Sequence, residues 1–330
     1  MTKVSVALAT FNGEKYVEKQ LKSLLLQRRK IDEVIIVDDA STDSTADIVK
    51  NFIERNRLSA SWHFFVNEKN LGFLRNFKRA IEKASGDVIF LCDQDDIWYK
   101  TKVDSMLSRF ESNEHIKAMY SGFKVIDEND TFIKPRSSLM HSNNNLIKFR
   151  IEPFDTVKIE LSTICNYNIS PGCTLAFTRE VRDIYIEKTK NICVHDWEIA
   201  LIAAFLDGLY FFNTPLTNYR IHPGNAIGLP AFSKKSLYSK GKAALSCCTR
   251  VDNAKKVYSY LSAMEVYQNL LPPDKLKVLT NSVSFAKTRL NALEEKKFRK
   301  LLELYRCAGN YSKSVTFKGR LADIFCVLKK

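Results

Sequence analysis

Short apolar runs alternate with amphipathic stretches along the first third of the chain, and this alternation narrows the fold more than any other feature. The runs Val4–Ala9, Glu33–Val37, Trp62–Val66 and Val88–Cys92 have strand length and strand-forming composition. Those at 33–37 and 88–92 carry no polar alternation, as expected of strands covered on both faces. Between the runs lie helical spacings: Glu14–Gln27, with Val17, Leu21, Leu24 and Leu25 on one face, a stretch running to about Asn56, and Gly72–Ala84. The segment Ser41-Thr42-Asp43-Ser44-Thr45 offers caps and an acid for the second of these helices. Strand and helix at such short spacing form βαβ units. The expected class is therefore α/β, a doubly wound and mostly parallel sheet with flanking helices.

Two of the strands end on acids. Asp38-Asp39 closes the second, and Asp93-Gln94-Asp95-Asp96 closes the fourth. In open α/β sheets ligands bind at the carboxyl ends of strands. Three carboxylates within four residues repel one another unless a cation sits among them. A hard divalent ion with oxygen ligands is the usual solution, and Mg²⁺ is often shared between carboxylates and substrate phosphates. A solvated acidic loop or helix cap is the plainer alternative. Two such clusters on one edge suit a nucleotide, which offers hydroxyls, ring N–H donors and a diphosphate. No G-x-G-x-x-G follows the first strand and no GxxxxGK[ST] occurs, so neither a dinucleotide fold nor a P-loop is supported.

Beyond residue 113 the pattern loosens. Ala118–Ile126 predicts a strand, 134–151 a long polar loop over the ligand edge, and Gly172–Thr178 a further strand. Asp196–Leu206 predicts an apolar helix, followed by a short strand at Tyr210–Phe212. From Ser233 the spacing is helical, with breaks at Pro272-Pro273 and around Gly309-Asn310. Residues 231–330 hold 21 Lys and Arg against 7 Asp and Glu, which leaves 30 of each in residues 1–230. This step in charge sets the expected boundary between a domain at 1–230 and a basic helical region at 231–330. Within the first, a regularly alternating half (about 1–113) precedes a less regular half (about 114–230).

An apolar content of 45% is enough to bury a core, which excludes global disorder. The best apolar stretch, Leu201–Phe212, is too short for a membrane span and is broken by Asp207-Gly208. The N-terminus enters a strand pattern directly, without a basic leader and cleavage site, so a cytoplasmic location is expected. The 8 cysteines form no CxxC, which points to reduced thiols, with Cys92, Cys165, Cys173 and Cys193 as small core residues.

In chain order, VALATFNGEKYVEKQLKSLLLQ, VDDASTDST, NEKNLGFLRNF, GDVIFLCDQDDIW, HDWEIAL and YRIHPGN resemble the family-2 glycosyltransferases of GT-A fold. They are most similar to the bacterial rhamnosyltransferase-like branch, over about residues 3–228. The resemblance implies an inverting transfer from a nucleotide-diphosphate sugar, dTDP- or UDP-linked, with Mg²⁺ or Mn²⁺ held by a D-x-D motif. Carried over by motif, Thr10, Phe11, Asn12 and Glu14 correspond to the segment around nucleobase and ribose, and Asp39 to a base contact. Asp93 and Asp95 match the D-x-D, Asp93 near the ribose and Asp95 on the metal, with Asp96 as a supporting cap. Arg75 lies in the segment that carries a basic nucleotide contact, Asp196 takes the place of the catalytic base, and His222 that of a late metal-site histidine. The implied acceptor is a glycan or lipid-linked glycan of bacterial surface polysaccharide synthesis.

The residue types suit that chemistry. A departing nucleoside diphosphate needs its charge stabilised, which a metal does without proton transfer, and the acceptor hydroxyl needs one base in line. Structural alternatives stand beside these roles. Asp196 could be a plain helix cap, His222 a loop histidine, His195 a bystander, and Pro171-Gly172-Cys173 either an ordinary strand entry or a close backbone approach to a sugar. His63, His115 and His141 have no recognisable partners in sequence. For the whole protein the rivals are an inactive GT-A-like binding protein and a sugar nucleotidyltransferase. The second usually shows a basic glycine-rich loop after strand one, where this chain has Thr-Phe-Asn-Gly. The basic tail carries no nucleic-acid motif. It reads as a solvated helical face, or as an anionic-membrane contact formed by the mixed apolar and basic residues of 314–330.

Overall fold

Four parallel strands form one half of the sheet, in the order the alternation predicts. In the computed structural model, which describes residues 1–134, 139–224, 247–306, 315 and 317–329, these are β1 (Val4–Thr10), β2 (Glu33–Asp38), β3 (Trp62–Val66) and β4 (Val88–Asp93). β1 lies between β2 and β4, and β3 pairs outside β2. Helices α1 (Val17–Leu25), α2 (Thr45–Arg55) and α3 (Phe73–Lys83) make the crossovers. Val4, Val6, Leu8, Val34, Ile36 and Phe90 are sealed from solvent in the main core. Each such side chain contributes roughly 1.5–3 kcal/mol by burial. α1 starts later than its periodicity suggests, because the Tyr16 and Val17 N–H groups both donate to Gly13 O in a tight turn.

The other half is mixed. β5 (Ile97–Trp98) and α4 (Lys102–Ser112) lead to β6 (Ala118–Ile126), with β7 (Phe132–Ile133) beside it. β8 (Thr156–Lys158) and α5 (Leu161–Ile164) follow, then β9 (Leu175–Thr178), α6 (Arg179–Lys188), α7 (His195–Phe205) and β10 (Leu209–Arg220). The sheet order is β3-β2-β1-β4-β9-β6-β10-β5. β9 runs antiparallel between β4 and β6, so the doubly wound sheet carries one reversed strand in its middle. The expected strand at 172–178 splits, because Gly172–Thr174 forms a 3-10 turn before β9.

β10 is the largest departure from the sequence reading. It spans 12 residues where only Tyr210–Phe212 was expected. Asn213-Thr214-Pro215 resembles a strand stop, yet Pro215 falls on a shift in register against β6, where a proline is tolerated. The extension carries Arg220 and His222 back to the ends of β4.

The described residues cluster into two compact units, Met1–Glu160 with Asn168–Phe232, and Leu161–Tyr167 with Ser233–Lys330. The second holds helices at 247–263, 273–294, 298–306 and 317–328. Pro273 opens the 273–294 helix at its first turn, where a missing N–H costs nothing. Its core contains Leu290, Leu293, Leu301, Leu304 and Cys326, and Asp323 is buried between Arg250 and Arg289. The expected break at Gly309-Asn310 and the start of the helical region at 233–246 lie outside the described residues.

Candidate active site

The end of β4 and the turn after it carry three carboxylates, Asp93, Asp95 and Asp96. Asp93 ends the strand half-buried, and Asp96 is fully buried. Burial and the charges of Asp96, Asp95 and Asp196 push the Asp93 carboxyl well above the usual range. Burial, then Asp95, lifts Asp96 to about 7. Oxygens of Asp93 and Asp96 and the Cys173 sulfur lie within 4.8 Å of one another. Asp95 faces a partner far away in sequence, with its Oδ2 2.8 Å from His222 Nε2. Gly224 N–H lies 3.1 Å from His222 Nδ1, which leaves Nε2 as the ring nitrogen that faces Asp95.

This donor set suits a hard divalent cation. Crowded acids that burial drives toward protonation hold, as protons, positive charge that a metal can replace, and a carboxylate–imidazole pair is a common ligand combination. Asp95 and His222, with Asp93 beside them, are the residues that would hold it.

Two buried cations brace the cluster. Arg220 is fully buried, and its Nε donates to Asp95 O at 2.6 Å, its Nη1 to Asp127 O at 2.9 Å, and its backbone N–H to Asp96 Oδ1 at 2.9 Å. Lys102 Nζ lies over the Trp98 ring at 3.8 Å and donates to Cys173 O at 2.5 Å and Thr217 Oγ1 at 2.9 Å. Burial lowers the Lys102 amine to about 8, against the opposing pull of the neighbouring thiols and acids. Sequence reading found neither role: Lys102 looks like a surface lysine, and of the YRIHPGN motif only His222 carries an assigned role.

The segment 10–14 is stitched to residues 38–45. Thr10 Oγ1 donates to Asp38 at 2.8 Å, Asn12 Oδ1 accepts from Thr42 N at 2.9 Å, and Glu14 Oε2 from Ser44 N at 3.0 Å. Phe11 leaves its ring exposed while Gln94 clasps its backbone through both N–H and C=O at 2.9 Å. Gly13 permits this clasp, since a Cβ there would lie 2.2 Å from Gln94 Oε1. Asp39 is buried and accepts from Asn67 Nδ2, Leu71 N and Gly72 N at 2.7–2.8 Å, so its carboxylate orders the loop before α3. Arg75 stands exposed in the first turn of α3. Thus Phe11, Asn12, Glu14, Asp39, Asp93 and Asp95 share one edge of the sheet, with the Thr10 side chain turned inward.

Asp196 joins them from α7. The helix begins at His195, one residue earlier than expected, so Asp196 sits inside the first turn and Val194 is the cap. Its Oδ1 accepts from Trp197 N and its Oδ2 from Asn168 Nδ2, both at 2.8 Å. Burial raises the carboxyl to about 6, with those two bonds opposing. Gly172 approaches so closely that a Cβ there would lie 3.0 Å from Asp196 Cβ. His195 stacks on Phe77 at 4.0 Å, and burial holds its imidazole near 3, hence neutral.

The model of glycosyl transferase family 2 matches residues 5–169, half of the chain. The chain belongs to glycosyl transferase family 2. It is 28% identical over 240 residues to the dTDP-rhamnosyl transferase RfbG of Shigella flexneri, covering 67% of this chain and 73% of that one. An uncharacterized glycosyltransferase of Nostoc sp. is 25% identical over 257 residues, covering 76% and 74%. Among solved structures, Staphylococcus aureus TarS 1–349 in complex with UDP-GlcNAc superposes with a TM-score of 0.55 at 18% identity, over 97% of this chain and 90% of that one. The mannosyltransferase PcManGT of Pyrobaculum calidifontis, in complex with GDP-Man and Mn²⁺, gives 0.50 at 16%, over 99% and 86%. The fold of this glycosyltransferase is therefore GT-A, as its motifs predicted. Neither Asn168 nor Tyr120, which reach Asp196, belongs to a motif the sequence singled out.

Proposed function

We propose that this glycosyltransferase moves a sugar, with inversion, from a nucleotide-diphosphate donor to a hydroxyl of a glycan or lipid-linked glycan in surface polysaccharide synthesis. The observation that carries the reading is the convergence of Asp93, Asp95, His222 and Asp196 at the carboxyl end of β4. Phe11, Asn12, Glu14, Asp39 and Arg75 form the nucleotide side, and Asp93 faces the ribose. Asp95 and His222 would hold Mg²⁺ or Mn²⁺, which would supply positive charge to neutralise the departing diphosphate. Asp196 accepts the proton of the acceptor hydroxyl as its oxygen bonds to the anomeric carbon and the bond from that carbon to the diphosphate oxygen breaks. A carboxyl raised to about 6 stays ionised near neutrality and is more basic than an exposed aspartate. The RfbG likeness favours a dTDP-linked deoxyhexose, with UDP-sugars as the second choice.

The acceptor bears on location. No helix among the described residues is long and apolar enough to cross a membrane. On the 317–328 helix, Leu321, Phe325 and Leu328 are exposed at spacings of four and three, beside Lys329. Such a face, in a region with 21 basic and 7 acidic residues, suits peripheral docking on an anionic leaflet, each basic residue near the surface contributing on the order of 1 kcal/mol. The protein should sediment with phosphatidylglycerol vesicles at low salt and be released by high salt; failure to sediment removes this part of the reading. The catalytic part is tested by calorimetric titration of a panel of nucleotide sugars with and without Mn²⁺. Tight binding of one donor only with metal is expected, and binding indifferent to EDTA contradicts it.

A further inference from the structure

The base does not stand alone. Asn168 Nδ2 donates to Asp196 Oδ2 at 2.8 Å, and Tyr120 OH lies 3.1 Å from Asn168 Oδ1 and 3.1 Å from Asp196 O. Tyr120 is fully buried on β6, and burial, then the charge of Asp196, raises its phenol well above the ordinary value. It therefore stays a donor throughout the working range. A Tyr O–H donated to the amide oxygen leaves the amide NH₂ directed at the carboxylate, and the flipped amide would set oxygen against oxygen. The Trp197 N–H fixes the other carboxylate oxygen at 2.8 Å, and Gly172 closes the side where a Cβ would press on Asp196. The carboxylate is thus held in one rotamer by two donors, both of which favour its ionised form.

We propose that Asn168 and Tyr120 are positioning residues of the transfer reaction: Tyr120 fixes the Asn168 amide, and the amide aims and holds ionised the Asp196 carboxylate that takes the acceptor proton. This rests on the reading of Asp196 as base. The other titratable groups about Asp196 are Asp93 across the site, Cys193 and His195 just before it, and Glu198 in the same helical turn. His195 is neutral and Cys193 is held protonated by burial, so neither places a charge beside the Asp196 carboxylate.

The experiment measures the pH profile of nucleoside diphosphate release, with water as acceptor, from whichever UDP-, dTDP- or GDP-sugar the wild type turns over. Asn168→Ala, the near-isosteric Asn168→Asp and Tyr120→Phe are compared with wild type and Asp196→Asn, each first checked for donor binding. Asn168→Ala should lower kcat about tenfold and move the acidic limb up by about one pH unit, with donor KM unchanged. Asn168→Asp, which keeps the shape but sets a second carboxylate against the base, should move the limb further. Tyr120→Phe should move it in the same direction by less. A role in packing alone would leave the limb in place in Asn168→Ala and Tyr120→Phe, and an unmoved limb in Asn168→Ala that still binds donor overturns the proposal. Undiminished turnover by Asp196→Asn would instead remove the base reading itself, so the two failures are distinct.

Discussion

His222 Nε2 lies 2.8 Å from Asp95 Oδ2, although 127 residues separate the two in sequence. The contact exists because β10 continues past Pro215 to Arg220, whose guanidinium then grips the Asp95 carbonyl. Asp95→Asn or His222→Ala should therefore weaken Mn²⁺-dependent nucleotide binding on the order of tenfold or more, with little loss of fold. Calorimetry with Mn²⁺ and nucleoside diphosphate, alongside thermal melts, checks both parts.

Proton competition sets the acid side of the activity. A base whose carboxyl is raised to about 6 works when deprotonated, so turnover should fall as pH drops through about 6 and level off above it. Metal binding must also displace protons from the crowded acids, so the Mn²⁺ concentration needed for half-saturation should rise on acidification. Rates measured at saturating and limiting Mn²⁺ across pH separate the two effects.

Gly172 packs closely against Asp196, the proposed base. Ala at this position would bring its Cβ within 3.0 Å of Asp196 Cβ, and the side chain would have to shift. Gly172→Ala should cost on the order of tenfold to a hundredfold in kcat, in line with small misplacements of reacting groups, while donor binding is kept. Steady-state kinetics with a fixed donor checks the split.

How much of this could be read from sequence follows from distance along the chain. β1 to β4 and α1 to α3 were legible because apolar periodicity is local, and the acids at strand ends were legible because they are contiguous. β10 was cut short by Asn213-Thr214-Pro215, since a proline on a register shift looks in sequence like a terminator. Lys102, a buried cation, and Asn168, 28 residues from Asp196, work only through tertiary contacts and belong to no local pattern, whereas Arg220 lies inside the YRIHPGN motif but its burial shows only in three dimensions. Gly172 was singled out as a place of close approach, but the Asp196 side chain as its neighbour was visible only in three dimensions.

The C-terminal helical unit depends on a buried ion cluster. Asp323 is fully buried and accepts from Arg250 Nε at 2.8 Å and Arg289 Nε at 2.9 Å. Burial alone would raise this carboxyl, but the bonds and charges of the two arginines outweigh it and hold it below the ordinary range. A depressed folded-state value means the stabilisation is present above the unfolded value of about 3.9 and is lost as pH falls through the folded one. Asp323→Ala should destabilise this unit by about 3–5 kcal/mol at neutral pH, because it leaves two partly buried arginines without their shared partner. Urea unfolding followed by circular dichroism gives the number.

The division of labour between the acids is tested most directly at Asp196. Asp196→Asn keeps the shape of the side chain and removes its basicity. Metal-dependent donor binding measured by calorimetry should stay within about twofold of wild type, while sugar transfer falls by about 10²-fold or more. Transfer at the wild-type rate in a variant that still binds donor would contradict the account.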